Sequence, residues 1–372
     1  MKNIKDLRMK LMAFLICVFS LMTVNAQEAT IDGLKYYLFA DTHEAVLNGN
    51  NSWVGELDIP SEVSYNGEKY TVNAMSVFAF YECKELTKVR IPKTIDHIIN
   101  YNLSDDDTNG AISPDYKNAF MGCTSLETIL VDEENPSMKS IGGILFSKDG
   151  TELYCYPAGI KAESYVVSEG VTWIGGDAFA YNNCLVSVEL PETVSKLCGG
   201  AFSYCTKLEK VNLPQNLTFL GGFMFWECSS LKSIEIPSGV KNIGDRAFWN
   251  CSSLKTIDLP ESITLIGGYA FYGCNLDDLV IRGILDSGCV DGSLFEGLNE
   301  SARIYVLASE LDRYKSKFNR IFLPLEDYIS GILKPTHLSE TTTPVYDLNG
   351  RQYQGNRKNG VFIQNGKKKL VK

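Results

Sequence analysis

Histidine and the short motifs of catalysis are nearly absent from this sequence. The chain of 372 residues has only His43, His97 and His337, in three separate regions, so no HExxH pair exists to hold a catalytic zinc ion. It also contains no phosphate-binding loop, no dinucleotide-binding glycine motif and no G-x-S-x-G nucleophile turn. We therefore predict a protein that is not an enzyme and that has no cofactor and no metal site.

Long apolar runs are missing beyond the first residues of the chain. Leu11–Val24 is apolar, follows a basic segment and precedes Ala26, a small residue suited to signal-peptidase cleavage. A membrane helix needs about 20 apolar residues, so a membrane anchor is the weaker interpretation. We predict a signal peptide over residues 1–26, a mature chain without a membrane span, and export to the cell surface or the extracellular space.

Basic charge is scarce in the body of the chain. The net charge is −10, residues 1–26 contribute +3 and residues 344–372 contribute +6, so that the body between them carries −19. Nucleic acid requires a basic footprint that this body does not have. The same argument excludes docking of the body on anionic lipid.

The sequence repeats itself with a period of 23 residues. Pro191, Pro214, Pro237 and Pro260 mark the period, and the phenylalanine series follows it as Phe179, Phe202, Phe225, Phe248 and Phe271. A repeat of this length is typical of a solenoid with one coil per repeat, in which each coil buries its apolar face against its neighbours. The fold class that we predict is a β-rich leucine-rich-repeat solenoid with one short parallel strand per coil.

One coil shows how the residues divide between core and surface. Ile257 and Leu259 alternate inward along a strand, Asp258 points outward, and Pro260 ends the strand because it cannot donate to the ladder. Val240 and Ile243 pack a second corner, and the Ala247-Phe248 pair fills a third side. Stacked strands about 4.8 Å apart should form one continuous parallel sheet along a face of the solenoid.

The repeat and its flanks divide the chain into segments. Weaker copies at Ala79-Phe80 and Ala119-Phe120 place the solenoid at residues 70–281, with an exposed insertion near residues 100–115. Because a bare terminal coil would expose core and sheet edge, we expect a β-rich cap at each end. These further segments are the N-terminal cap at 27–69, the C-terminal cap at 282–333 with a short helix over 309–318, the linker at 334–343 and a small β-module at 344–372.

The repeat resembles the BspA-like leucine-rich-repeat family of exported bacterial proteins. The resemblance rests on the spacing of Ile-Gly, Ala-Phe, Cys, Leu and Ile-Pro, on GGILFSKDGTELYCYPAG at 142–159 and on ARIYVLASELDRYKSKF at 302–318. It covers residues 31–318. It implies a curved solenoid, a surface or extracellular location, and binding of protein or matrix in adhesion.

The last segment has a different character. Asn349-Gly350 and Asn365-Gly366 are hairpin turn signals that flank a strand at 361–363. YDLNGR at 346–351 and GVFI at 360–363 resemble the C-terminal sorting domain read by the type IX secretion machinery of Bacteroidetes. An alternative is that its basic charge contacts the acidic body or an anionic surface polymer.

Most of the cysteines follow the repeat. Those that lie three residues after a repeat phenylalanine are Cys83, Cys123, Cys205, Cys228, Cys251 and Cys274. Equivalent residues in adjacent coils are close enough for disulfides, but their side chains run parallel, which favours buried thiols. For Cys155, Cys184, Cys198 and Cys289, the sequence leaves both a disulfide and free thiols as alternatives.

Two outward-facing sets are candidate ligand sites. The strand-face set contains Glu189, Asn212, Glu235 and Asp258, in a series that is basic at Lys88 and Arg90 and that ends at Asp278 and Val280. The aromatic row contains Trp226, Trp249 and Tyr272, and Tyr81 stands at the same repeat position. Aromatic side chains give a large contact area at low entropy cost. A solvated strand face and partial packing of the aromatics between coils are the alternatives.

The function that these observations favour is recognition. We expect a surface or secreted binding protein whose partner is a host or bacterial surface protein, or a glycan, bound through the repeat surface. A structural surface component that self-associates is the first alternative. A glycan hydrolase is the second, and it requires a cleft with two close carboxylates.

Overall fold

The computed structural model describes residues 26–99, 117–286 and 293–333, and the backbones of two strands within 360–371. The predicted signal peptide, most of the insertion and the linker lie outside these ranges. Within them, no helix is long and apolar enough to cross a membrane.

The N-terminal end is a mixed sheet of six strands. Strands β1 to β3 form an antiparallel meander, β6 pairs in parallel with β3 and β8 and antiparallel with β5, and alternate residues such as Tyr36 and Leu38 are buried. This cap packs on the first coil, since Leu34 and Tyr36 belong to the same buried cluster as Phe80. Its strands are β1 (Ala26–Ile31), β2 (Leu34–Phe39), β3 (Glu44–Gly49), β5 (Glu62–Tyr65), β6 (Glu68–Ser76) and β8 (His97–Ile99).

One side of the coils forms parallel ladders. Three sheets lie along it, and within each the strands pair in parallel between successive coils, as in Ser187↔Lys210 and Thr256↔Asp278. The first sheet holds β4 (Gly55–Asp58), β7 (Leu86–Ile91) and β9 (Thr128–Val131). The second holds β13 (Ser164–Val166), β15 (Ser187–Glu189) and β17 (Lys210–Val211). The third holds β20 (Thr256–Leu259), β22 (Asp278–Ile281), β23 (Arg303–Val306) and β24 (Phe322–Pro324).

The prediction of one continuous sheet is wrong. Residues 231–237, which lie between the coils of β17 and β20, form no strand, although their sequence repeats the strand pattern. Ile234 in this coil is only half-buried, whereas its equivalents Val211 and Ile257 are buried. The ladder is therefore open in the middle of the solenoid.

The second corner carries its own short ladders. Two-residue strands pair in parallel along it, with Leu197, Leu220 and Ile243 buried. The hairpin of β10, β11 and β12 joins one of these ladders through β12. The strands are β10 (Met138–Ile141), β11 (Ile144–Ser147), β12 (Glu152–Cys155), β14 (Trp173–Ile174), β16 (Lys196–Leu197), β18 (Phe219–Leu220), β19 (Asn242–Ile243) and β21 (Leu265–Ile266).

The third side is a column of turns around the repeat phenylalanines. The rings of Phe202 and Phe225 stack at 5.5 Å between centroids with planes 2° apart, and Phe202 N–H donates to Met224 O at 3.0 Å. Non-glycine residues stand in the left-handed region on both sides of the phenylalanine, for example Arg246 at φ 53° and Asn250 at φ 56°. Each such residue costs of order 1 kcal/mol, so the stack and the ladder must offset a strain that recurs in most coils.

The buried side chains form two large clusters that meet at the β10–β12 hairpin. Leu145 and Cys155 belong to the N-terminal cluster, whereas Phe146, Leu153 and Tyr156 belong to the C-terminal one. Successive residues of a strand face opposite ways, so one hairpin contributes to both.

The C-terminal cap contains more helix than the sequence predicted. A 3-10 turn at Ala308–Glu310 and helix α1 (Leu311–Lys315) overlap the helix predicted over 309–318, and helix α2 (Leu325–Leu333) follows β24. Leu325 and Tyr328 of α2 pack on Val280 and Tyr305 of the third sheet. The prediction that Val280 points into solvent is therefore wrong, because α2 covers it.

The last two strands form a hairpin. Strands β25 (Gly360–Gln364) and β26 (Lys367–Val371) pair antiparallel. Both predicted turn signals, Asn349-Gly350 and Asn365-Gly366, lie outside the described residues.

The cysteine ladder consists of thiols, as predicted. Cys228 donates its S–H to Phe202 O at 3.1 Å, and Cys205, Cys251 and Cys274 bond the phenylalanine of the preceding coil in the same way. Cys155 and Cys184 are also thiols, whereas Cys289 lies outside the described ranges. Burial raises the pKa of Cys205 to about 12.

The buried ladder predicts selective thiol chemistry. Iodoacetamide at pH 8 should modify the half-buried Cys184 of the native protein well before Cys205, Cys228 or Cys251, because burial removes both access and thiolate. Mass spectrometry of tryptic peptides measures the order, and denatured protein is the control. Rapid native modification of the ladder peptides would contradict the arrangement.

One buried carboxyl makes stability depend on pH. Asp177 has an exposed fraction of 6%, its carboxyl contacts Ser203 Oγ at 3.4 Å, and a Cβ on Gly200 would lie 2.0 Å from its Oδ1. Burial raises the pKa of Asp177 from 3.8 to about 7. The folded state thus keeps a proton that the unfolded state releases across this pH range.

We predict that stability falls as pH rises from 4 to 7 because of Asp177. The loss should be on the order of 4 kcal/mol, and Asp177→Asn should remove it and stabilise the protein at neutral pH. Urea unfolding at several pH values measures this, with the exposed Asp41→Asn as matched control. Parallel pH profiles of Asp177→Asn and the unmodified protein would show that the proton is not held there.

Candidate ligand-binding surfaces

The predicted strand-face residues lie on the outer side of the second and third sheets. Glu189 is exposed in β15 and Asn212 is exposed directly after β17, while Glu235 is exposed in the irregular coil and Asp258 is half-buried in β20. Alternation along each strand places them outward, since their neighbours Val188, Val211 and Ile257 are buried.

Two grooves run over this face, and each unites two of the predicted residues. The upstream groove has a volume of about 450 Å³ and contains Glu189 and Asn212 in its wall. The downstream groove has a volume of about 510 Å³ and contains Glu235 and Asp258. The remaining lining is Val166, Val167, Glu169, Ser187, Val188, Leu190, Pro191 and Lys210 upstream, and Ile234, Ile236, Ser238, Pro260, Glu261 and Arg282 downstream.

At the upstream groove, the side chain of Asn212 makes two hydrogen bonds to the preceding coil in place of main-chain hydrogen bonds. Its Nδ2 donates to Leu190 O at 2.8 Å, and its Oδ1 accepts from Leu190 N–H at 2.8 Å. The main-chain register of β15 and β17 accordingly ends at Val188↔Val211. The amide therefore continues the contact between these two coils beyond the end of their main-chain ladder, whereas the open ladder at residues 231–237 lies on the other side of β17.

Ion pairs between coils neutralise much of the face. Asp258 accepts two bonds from Arg282, at 2.7 and 2.8 Å, and the pair raises the pKa of Arg282. At the other end, Lys88 pairs with Glu56 at 2.9 Å and Arg90 with Asp58 at 3.1 Å. The basic start of the series is thus compensated by the preceding strand.

The groove carboxylates outside these pairs carry the uncompensated charge. Among the described residues, Glu169, Glu189, Glu235 and Glu261 form no ion pair, although Lys210 lines the upstream groove and Glu261 interacts electrostatically with Arg282. The sequence analysis identified Glu189 and Glu235 but missed Glu169 and Glu261. Glu169 and Glu261 occupy the same position of the 23-residue repeat, which was a usable signal for both.

The aromatic row lies on the turn side of the coils and lines neither groove. Trp226, Trp249 and Tyr272 are all half-buried, and the rings of Trp249 and Tyr272 stack at 4.0 Å with planes 17° apart. Trp226 packs against Tyr204 at 5.1 Å. Each ring therefore uses one of its faces for contact with another coil, which is the packing that the alternative interpretation expected.

Further side chains that the sequence analysis missed complete the aromatic surface. Tyr181 stacks on Tyr204 at 4.5 Å, and the guanidinium of Arg246 lies over the rings of Phe223 and Tyr269 at 5.6 and 5.4 Å. Arg246, Phe223 and Tyr269 all stand two residues before a repeat phenylalanine and have a positive φ. That column was a usable signal, since aromatic residues recur in it.

The stacked row makes a stability prediction. Trp249→Ala should cost about 2 kcal/mol of unfolding free energy, because it removes the Tyr272 stack and half-buried ring area. Tyr81→Ala is the matched control, since Tyr81 is 42% exposed and should cost much less. Denaturant unfolding measures both. Equal losses would mean that the row does not pack between coils.

Comparison with solved structures finds several leucine-rich-repeat proteins. The pneumococcal vaccine antigen PcpA has 16% identity and a TM-score of 0.48, with 80% of this chain and 98% of that chain covered. A leucine-rich repeat protein from Bacteroides ovatus has 25% identity and a TM-score of 0.43, with coverage of 75% and 70%. A leucine-rich cell surface protein from Faecalibacterium prausnitzii has 22% identity and a TM-score of 0.41, with coverage of 74% and 98%. The search of curated proteins gives no significant match.

The repeats themselves match a protein family. The profile described as BspA type leucine rich repeat region matches in six copies, over residues 62–154 and 172–288. These ranges contain the phenylalanine stack, the downstream groove, and the strands of the outer sheets from β7 to β22 except β13. The chain therefore belongs to the BspA-type leucine-rich-repeat family.

Proposed function

We propose that this protein is an exported surface or secreted binding protein that recognises a protein or glycan ligand through the outer face of its parallel sheets. The observation that carries the proposal is the pair of open grooves on consecutive coils, each lined by carboxylates that form no ion pair among the described residues. Charged groups left without partners on a rigid scaffold are a common basis for specific recognition.

The architecture supports binding over catalysis. Successive coils hold equivalent side chains at a fixed spacing, which creates an extended surface for a large ligand. In the downstream groove both oxygens of Asp258 are bonded to Arg282, so this carboxylate already has its partner. Neither groove contains a histidine in its lining.

Export and surface attachment are supported by the two ends of the sequence. Residues 1–26 have the basic segment, the apolar run and the small residue of a signal peptide. The C-terminal segment resembles a type IX sorting domain, and its last part is a β-hairpin. We propose that this segment directs the protein to the cell surface.

The test fills both grooves with bulky side chains, and it applies to protein and glycan ligands alike. The full chain is screened against matrix proteins, mucins and glycans, and saturable binders are measured again with Ser187→Trp plus Ser238→Trp, one in each groove. We expect at least tenfold weaker binding, because two indoles occupy the space of the ligand.

The control places the same change elsewhere. Ser61→Trp plus Ser252→Trp substitutes exposed serines outside both grooves and should leave affinity unchanged. Circular dichroism checks the fold of both variants. Binding that survives the groove substitutions would contradict the proposed site, and self-association without any ligand would favour a structural surface role.

A further inference from the structure

We infer that the two grooves form one continuous site for an extended, cationic peptide segment that alternates basic with aliphatic side chains. This inference rests on the proposed function and names the class of its ligand. It follows from the continuity of the two grooves, their charge, their apolar floor and the open ladder between them.

The two grooves lie on consecutive coils. Asn212 at the end of the upstream groove and Glu235 at the start of the downstream groove are 23 residues apart, so they occupy the same position in consecutive coils. The lining extends from the coil of Val166 to that of Arg282. At about 4.8 Å per coil this distance is roughly 24 Å, the length of about seven residues of extended peptide.

The charge of the site selects a cationic ligand. Glu169 and Glu189 face the upstream groove and Glu235 and Glu261 the downstream groove, all without an ion pair in the described chain, and Lys210 is the one basic group outside a pair. Asp258 and Arg282 cancel one another. These four carboxylates would attract basic side chains of a ligand and repel acidic ones.

The floor of the site is aliphatic. Val166 is 64% exposed and Ile234 is half-buried, with Pro191 and Pro260 beside them. No aromatic side chain lines either groove, so the flat ring faces that suit sugar rings are missing from this lining. Valine and isoleucine side chains of a peptide fit such a floor, and burying each removes apolar area from water.

The irregular coil adds polar main-chain groups to the middle of the site. Within the described chain, the N–H groups of residues 233–236 donate no hydrogen bond, although these residues stand between β17 and β20. Unsatisfied main-chain groups favour a partner that carries its own donors and acceptors at regular spacing. The main-chain carbonyl groups of an extended peptide recur at a regular spacing and can accept from such N–H groups.

The experiment compares labelled peptides of about ten residues, which is long enough to cross the site. They have valine at every second position and lysine, glutamate or serine at the others, and fluorescence anisotropy measures their binding to the full chain at low and high salt. We expect the lysine peptide to bind at least about tenfold more tightly than the glutamate peptide, with a preference that weakens as salt rises.

Matched variants locate the effect. Glu235→Gln plus Glu261→Gln should weaken the lysine peptide about fivefold or more, while Glu28→Gln plus Glu133→Gln changes net charge equally at exposed positions elsewhere and should leave it unchanged. A cationic chitosan oligosaccharide tests whether charge alone suffices. Equal binding of the sugar, or equal weakening by both variants, would overturn the inference.

The two proposals fail in different ways. If a ligand from the screen loses affinity when the tryptophans fill the grooves but the lysine peptide does not bind, the site stands and the peptide chemistry is wrong. If the lysine peptide binds and the groove substitutions leave it unaffected, the location of the site is wrong.

Discussion

Stacking between coils is the constraint on which the rest of this structure depends. A single coil of 23 residues cannot bury its own apolar side chains, so every coil uses its neighbours as its core. The phenylalanine stack, the ladders at the corners and the thiol bonds to the preceding coil all act across that one boundary. Because the period is fixed, a residue type chosen at one position is repeated in space as a row.

The proposed binding face is a consequence of the same constraint. Inward positions of the strands are committed to packing, so that only the outward positions can vary from coil to coil. Most outward charges are matched by a partner in the adjacent coil, as in the Asp258–Arg282 pair. Where this matching lapses, around Glu189 and Glu235, the surface also widens into grooves. Charge and shape therefore depart from the regular pattern at the same place.

The sequence was sufficient for the regular part of this fold. Period and alternation predicted the buried phenylalanines, the thiol ladder and the outward position of Glu189 and Glu235. They could not predict the open ladder, because residues 231–237 carry the same strand pattern as the coils that do form strands. Nor could they predict that helix α2 covers Val280, since that contact joins the cap to a coil that lies before it in the chain.

The meeting of two cores at the β10–β12 hairpin has a mechanical consequence. Since each coil is stabilised only by its neighbours, tension along the solenoid is carried in series through every boundary. At the hairpin, one antiparallel element with side chains in both clusters joins two otherwise separate packing units. If a bound partner pulled on this protein, the two packing units would unfold one after the other. The unit that is still folded would bear the force while the other extends.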